Sequence, residues 1–415
     1  MFNFRKIIPV ALVAVAAALM TSPAAHASAG THSETLLFDG GGGEELNGVP
    51  YHSFRIPSLV RTASGSLLAF AEGRVATNHD YGNINVVYKR STDGGATWSG
   101  LRQVVGATQA TWGNPTAVVD QATGTIWMAM SWCPPGYGQA SDTDTTPITE
   151  WDQRKVFLSN STDDGLTWTT PVDMTETLKP KTRGDGAAWV HDAVGPGVGI
   201  QTSTGRLVIP AWHRDIYSDD HGATWKDQVI TDAATGAEQD GTSEGTVLEL
   251  ADGRLLRNDR AVATVWDTAK RRWVARGTIE DGFTAFAPDP ALLDPDAQGS
   301  IMRYNTASPS RIVFLNSAST VNRRNMTLRI SYDEAKTWPI SRQLDDAPLP
   351  AWSGLGSGNV AEGGYSSIVK LTYGGVYGVG ALVEVNENID DSATSHRSIV
   401  FRTVSLSWIL NGATE

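Results

Sequence analysis

Two charged residues stand in contexts where a structural role competes with a chemical one. Arg55 lies in Phe54-Arg55-Ile56-Pro57, where a guanidinium interrupts apolar, strand-forming residues. A buried guanidinium needs an anion beside it, so Arg55 is either half of an internal ion pair or a receptor for an anionic ligand. Asp80 lies in Asn78-His79-Asp80-Tyr81, a loop after Glu72-Gly73-Arg74, and reads either as a turn residue or as an exposed acid. The eight histidines form no i, i+4 pair with a carboxylate between them, so no metal chemistry is expected and no cofactor is implied. His79, His191 and His213 read as structural residues that could also line a cleft.

What must position such residues is visible in a repeat. Ser91–Trp98 reads S-T-D-G-G-A-T-W, and the pattern S-x-D-x-[GA]-x-T-W returns at Ser161–Trp168, Ser218–Trp225 and Ser331–Trp338. Asp and Ser can bond backbone N–H groups within a tight turn, Gly supplies a positive φ, and Trp offers a large packing face. β-type runs flank the copies, so each octamer reads as a hairpin corner that marks one sheet. The steps are 161 − 91 = 70, 218 − 161 = 57 and 331 − 218 = 113 residues, the last about twice the second. Trp266–Trp273 falls in that gap and reads as a decayed copy. A period of roughly 60 residues with about four short strands predicts an all-β fold, a six-bladed β-propeller with four-stranded antiparallel blades.

Met1–Ala27 has a charged start (Arg5, Lys6), an apolar run (Ile7–Met20) and an A-x-A site at Ala25–Ala27. This predicts a secretory signal peptide, an extracellular mature protein and one domain over residues 28–415. The formal charge of −12 becomes 31 − 45 = −14 once Arg5 and Lys6 are gone, which argues against nucleic acid or an anionic membrane as partner. The only cysteine is Cys133, so no intrachain disulfide is possible. A monomer is expected.

Taken together, several motifs resemble those of the bacterial exo-sialidases (neuraminidases), over essentially the whole mature chain. They are Phe54–Pro57, the four boxes, V-V-D-x-x-T-G around Asp120, Gly195-Pro196-Gly197, L-x-D-G-R-L-L after Glu244, and Tyr365-Ser366. The resemblance implies a propeller whose central face binds a terminal sialic acid of glycoproteins, glycolipids or oligosaccharides. It also implies three arginines on the sugar carboxylate, a Tyr/Glu nucleophile pair and an Asp acid/base. On this sequence the first arginine is Arg55, and the acid/base is Asp80, 80 − 55 = 25 residues on. Glu244 matches the nucleophile's partner, with Glu238 and Glu249 as rivals. Arg260, in Asn258-Asp259-Arg260, matches the second arginine. Arg323, preferred over Arg324, matches the third. Tyr365 matches the nucleophile, against Tyr373 and Tyr377, and Asn114 matches a sugar contact. Two departures are Ser243, where the family more often has Asn before Glu, and Ala335 in the last box.

The chemistry explains the residue types. Planar arginines grip a carboxylate bidentately. A carboxylate nucleophile would be repelled by that same substrate carboxylate, whereas a neutral phenol is not, and sialidases are the glycosidases that use Tyr. A phenol with a reference pKa of about 10 needs a base, the role implied for Glu244. Asp80 would protonate the leaving group and then activate water, and the two displacements would retain the anomeric configuration. Rival outcomes on such a fold are trans-sialylation, anhydro-sugar formation, preference for the deaminated sugar, glycan binding without catalysis, or hydrolysis of neutral polysaccharide. The acidic far field opposes an anionic substrate while the local arginines attract it. Salt screens both terms, so kcat/KM is expected to stay within about tenfold between ~20 and ~150 mM salt. A steeper fall in a titration of activity against salt would contradict this balance.

Overall fold

The computed structural model describes residues 32–106, 109–140, 142, 144–262, 268–344, 361–373, 376–386 and 396–411. The expected leader, Met1–Ala27, lies outside these residues.

The first repeat shows how the sequence builds its unit. Ser53–Arg61, Leu67–Arg74, Ile84–Ser91 and Arg102–Val105 form an antiparallel meander, each strand paired with the next. Short loops such as Thr62–Ser66 allow no other pairing, and the apolar residues of both faces are buried between neighbouring sheets. Similar meanders follow, and the whole is an all-β propeller. Its inner strands touch in a closed cycle: Ser53–Arg61, Thr111–Val119, Leu207–Ala211, Thr242–Glu249, Ser300–Asn305, Ala361–Tyr373 and back to Ser53–Arg61. The last sheet joins both ends of the chain, because His32–Phe38 pairs with Ser398–Ser405. Buried Arg402 ties this closure, 2.6 Å from Glu34 and 2.5 Å from Glu362.

Six separate four-stranded sheets are not what the hydrogen bonding gives. Among the described residues there are three four-stranded sheets, one of five strands and one of nine, beside two two-stranded ribbons. The nine-stranded sheet arises because Ile84 pairs with Thr111, joining two consecutive meanders, and Gly197–Val198 adds alongside Thr116 and Ala117. The five-stranded sheet arises because Arg271–Thr278 pairs with both Gly282–Phe283 and Ala287–Leu293. The stretch 266–273 is also not a box. Residues 266 and 267 lie outside the described set, and Trp273 sits within a strand opposite Asp259, one turn earlier than the box position of the other sheets. The expected last strand over Ser398–Leu410 ends at Ser405, whose side chain caps a short helix, Leu406–Leu410, by accepting from Trp408 N. No helix among the described residues is long and apolar enough to cross a membrane.

The boxes do more than turn the chain. In each, Asp takes the Thr backbone N–H and hydroxyl, and Ser takes the N–H of the fifth residue, as in Asp93–Thr97 (2.9 and 2.6 Å) and Ser91–Gly95 (2.8 Å). All four also grip the preceding meander, the last through Ala251 N on Glu334 Oε2 at 2.8 Å and Trp338 Nε1 on Asp289 at 3.3 Å. The box tryptophans Trp98, Trp168 and Trp225 pack edge-on against Phe401, Phe70 and Trp127. The fourth residue, in left-handed backbone, reaches back as well: Asp164 to Ser64 and Ser66, and His221 to Asp120. Gly222 has φ +90°, and a Cβ there would lie 2.2 Å from the Trp127 ring. Gly222→Ala is therefore expected to destabilise the fold by about 1–3 kcal/mol, read as a lower urea midpoint. An unchanged midpoint would contradict this inter-sheet contact.

Candidate active site

The cleft is built from register breaks in the inner strands. Pairing jumps from Arg55 to Ser58, from Gly113 to Thr116, from Thr242 to Gly245 and from Glu362 to Ser366. Arg55, Asn114, Glu244 and Tyr365 each stand at one of these bulges, which re-aim side chains that regular pleating would direct between the sheets. Ile56 is held at φ 58°, unusual for a β-branched residue and the kind of strain that gathers at functional sites. Gly363 lets its strand pass under the Arg323 backbone, for a Cβ would lie 1.8 Å from the Arg323 carbonyl oxygen.

These breaks open a cavity of about 390 Å³ whose wall contains all seven predicted residues: Arg55, Asp80, Asn114, Glu244, Arg260, Arg323 and Tyr365. The rivals lie elsewhere. Glu238 bonds Gly184 N, and Glu249, expected to face solvent, is half-buried and accepts from Ser203 N and Oγ at 2.8 and 2.7 Å on the exposed side. Tyr377 is on the surface, and Tyr373 ends the strand that carries Tyr365 near its start. Of the histidines, His191 lines the cleft and is held neutral, its pKa pushed down to about 3 by burial and by Arg154. His213 is buried against Trp212, and His79 is exposed beside Tyr81.

Tyr365 is at the centre, 4% exposed. Its Oη donates to Glu244 Oε1 and accepts from Arg260 Nη1 at 2.8 Å, while Arg260 Nη1 is 2.9 Å from Glu244 Oε2. Arg260 Nε is fixed by Asp296 at 2.6 Å. The guanidinium carbons of Arg55 and Arg323 lie 5.3 and 5.1 Å from the Tyr365 ring centroid. Burial, then the charge of Glu244, pushes the phenol's pKa up against the pull of the three arginines. The resting phenol thus keeps its proton, aimed at a carboxylate.

Glu384, which the sequence reading missed, organises this centre. Its Oε1 accepts from Arg55 Nε at 3.1 Å and from Ile56 N at 2.9 Å, and its Oε2 accepts from Tyr365 N at 3.0 Å. Burial opposes its charge, but Arg55, then His396 and these N–H groups, hold its pKa down at about 2. A carboxylate inside the apolar run Ala381–Val385 was the available signal, the same anomaly that marked Arg55. Asp80 sits 3.2 Å from Arg55 Nη1 and 2.7 Å from Arg74 Nη2. Desolvation in the cleft works against its charge, but Arg74, Arg55 and Arg323 keep its pKa below the usual carboxylate range. Arg74 is held by Glu72 at 2.6 Å, and Glu72 also accepts Asn114 N at 2.7 Å. Across the cleft Arg154 donates to Asp192 O at 2.9 Å and to Asn114 Oδ1 at 3.3 Å. Lys179 props this wall by donating to the carbonyls of Trp151, Arg154 and Val190. Among the described residues no group of three or more His, Cys, Asp or Glu could hold a metal ion.

Comparison with known proteins places this geometry. Residues 65–377 match the family model of the BNR repeat-like domain. The chain is 47% identical over 386 residues to an exo-α-sialidase of Aspergillus fumigatus, covering 88% of this chain and 87% of that protein. It is 44% identical over 432 residues to an exo-α-sialidase of Arthroderma benhamiae, covering 98% and 97%. The solved structure of Hadza microbial sialidase Hz136 superposes with a TM-score of 0.66 at 27% identity, covering 86% of this chain and 67% of that one.

The Glu384 arrangement carries a signed pH dependence. Its folded pKa lies below its ordinary value of 4.5, so the stability it contributes is complete above pH 4.5 and is lost as pH falls towards about 2. A shift of that size corresponds to about 3 kcal/mol. Glu384→Gln should therefore melt lower at pH 7 and lose this part of the acid sensitivity. Parallel melting curves against pH for both proteins would contradict the assignment.

Proposed function

The chain belongs to the exo-α-sialidase family of glycoside hydrolases, and on that footing we propose that it removes terminal sialic acid from glycoconjugates through a covalent tyrosyl intermediate. The observation that carries this reading is the hydrogen-bonded triangle of Tyr365, Glu244 and Arg260, with Arg55 and Arg323 beside the same ring. In this reading Arg55, Arg260 and Arg323 receive the sugar carboxylate, and Asn114 contacts the sugar. Tyr365 Oη attacks the anomeric carbon while its proton passes to Glu244 Oε1. Arg260 Nη1 stabilises the developing phenolate. Asp80 gives its proton to the departing glycosidic oxygen, then takes one from the water that releases the sugar. Each displacement inverts the anomeric centre, so the net result is retention.

The rest of the reading follows the sequence. Met1–Ala27 would direct secretion, leaving residues 28–415 as one extracellular, monomeric domain. Counting the nine-stranded sheet as two fused blades gives six radial units. Sialylated glycans are the partners, and neither nucleic acid nor membrane is one.

A fluorogenic sialoside tests class and nucleophile together. Wild type should turn it over, and Tyr365→Phe should lose at least about a thousandfold in kcat while remaining folded. NMR of the first product released should show the α-anomer of the free sugar. Undiminished turnover by Tyr365→Phe, a β-anomer first, or an anhydro or transferred product would each contradict this mechanism.

A further inference from the structure

A difficulty in the proposed chemistry points to a coupling. Asp80 must hold a proton before the leaving group departs, yet two arginines hold it ionised in the free protein. The way out lies in which donors of Arg55 remain. Glu384 takes Nε and one Nη2 hydrogen, at 3.1 and 3.4 Å. A bidentate carboxylate must then use the outer edge, which includes Nη1, and Asp80 Oδ1 already lies against Nη1 at 3.2 Å, on one of its two N–H groups and in the guest's way.

We propose that Asp80 stands in for the substrate's carboxylate on Arg55, so that binding of the acidic sugar displaces it and drives one solvent proton onto its carboxyl group. The inference rests on the sialidase reading and deepens it, by stating when the acid is loaded.

Charge balance supports the direction. Arg74 and Arg154 join the three clamp arginines in the cleft wall, making five guanidinium groups. Asp80, Glu72, Asp142, Glu244 and Asp296 oppose them there, and Glu384 lies beneath. Positive charge is not in excess, so a guest carboxylate tips the site negative and one resident carboxylate must take a proton. Most residents are committed. Glu72 and Glu384 are buried on backbone N–H groups and arginines, Glu244 is on Tyr365 and Arg260, Asp296 is on Arg260, and Asp142 accepts from Gln139 N. Asp80, with its side chain 59% exposed against 17% for Glu244 and 27% for Asp296, is the most open to solvent of those that share an arginine with the guest.

The groups facing Asp80 from each side agree with this choice. Arg55 and Glu72–Arg74 come from the first two strands, and Arg323 from the loop before Met326–Ser331. Glu384 and His396 stand behind Arg55, and His79 and Tyr81 flank Asp80 in its own loop, with Asp142 and Asp144 acting on Tyr81. When the guest neutralises Arg55 and Arg323, only Arg74 still favours the charged form. Protonation then becomes favourable, and the proton acquired is the one later passed to the glycosidic oxygen.

The test is calorimetric titration with 2-deoxy-2,3-dehydro-N-acetylneuraminic acid at pH 5, in two buffers of different ionisation enthalpy. Wild type should take up close to one proton per ligand bound, and Asp80→Asn should bind with uptake near zero. Wild-type affinity should also fall by up to about tenfold per pH unit above the bound-state pKa, a readout that needs no variant. Binding without proton uptake, or full uptake retained by Asp80→Asn, would overturn the inference and leave the sialidase reading standing. Failure of wild type to bind the analogue would remove both.

Discussion

Everything in the cleft depends on keeping mutually repelling guanidinium groups converged around one buried phenol. Arg55, Arg260 and Arg323 would separate without compensating charge, and Tyr365 could not be deprotonated without positive charge nearby. Acidic partners solve both problems at once. Glu384 takes the inner edge of Arg55, Glu244 and Asp296 take Arg260, and the backbone carbonyl of Asp296 takes Arg323 at 3.2 Å. All three arginines line the cleft. Breaking the buried Arg55–Glu384 pair would leave a charge uncompensated, which is far worse than the pair's net stabilisation suggests.

The fold supplies this arrangement by two devices that act at opposite ends of the strands. The boxes pack each corner onto the preceding meander, as Trp168 does on Phe70, which fixes the mutual angle of neighbouring meanders. Bulges at the cleft end of the inner strands then turn Arg55, Asn114, Glu244 and Tyr365 out of the pleat. The left-handed Ile56 shows that this turning is strained, and the Glu384 carboxylate bonded to its N–H offsets the strain. A rigid scaffold and a strained rim held by one buried carboxylate are consistent with a site organised before substrate arrives.

The same two devices explain what could be seen in the sequence. The box repeats because each corner solves the same local problem with the same residues, so the propeller class was legible. The separation of its sheets was not, because the Ile84–Thr111 pair depends on how adjacent meanders meet, not on any local pattern. Arg55, Glu244 and Tyr365 could be placed only through the resemblance of their surroundings to sialidase motifs, since read alone Arg55 served equally well as half of an ion pair. Glu384 was missed because its strand is regular and its importance comes from residues more than three hundred positions away in the chain, Arg55 and Ile56. The stretch 266–273 misled for the opposite reason: its composition imitates a box, but its place in the sheet is one turn too early.

The central claim is that the buried phenol of Tyr365 bonds to the anomeric carbon. Incubation with 2,3-difluorosialic acid, which slows the release of a covalent intermediate, followed by peptide mass spectrometry tests it most directly. The account predicts a single sugar adduct on Tyr365. An adduct on Glu244 or Asp80, or turnover of an activated sialoside with no adduct accumulating on any residue, would contradict it.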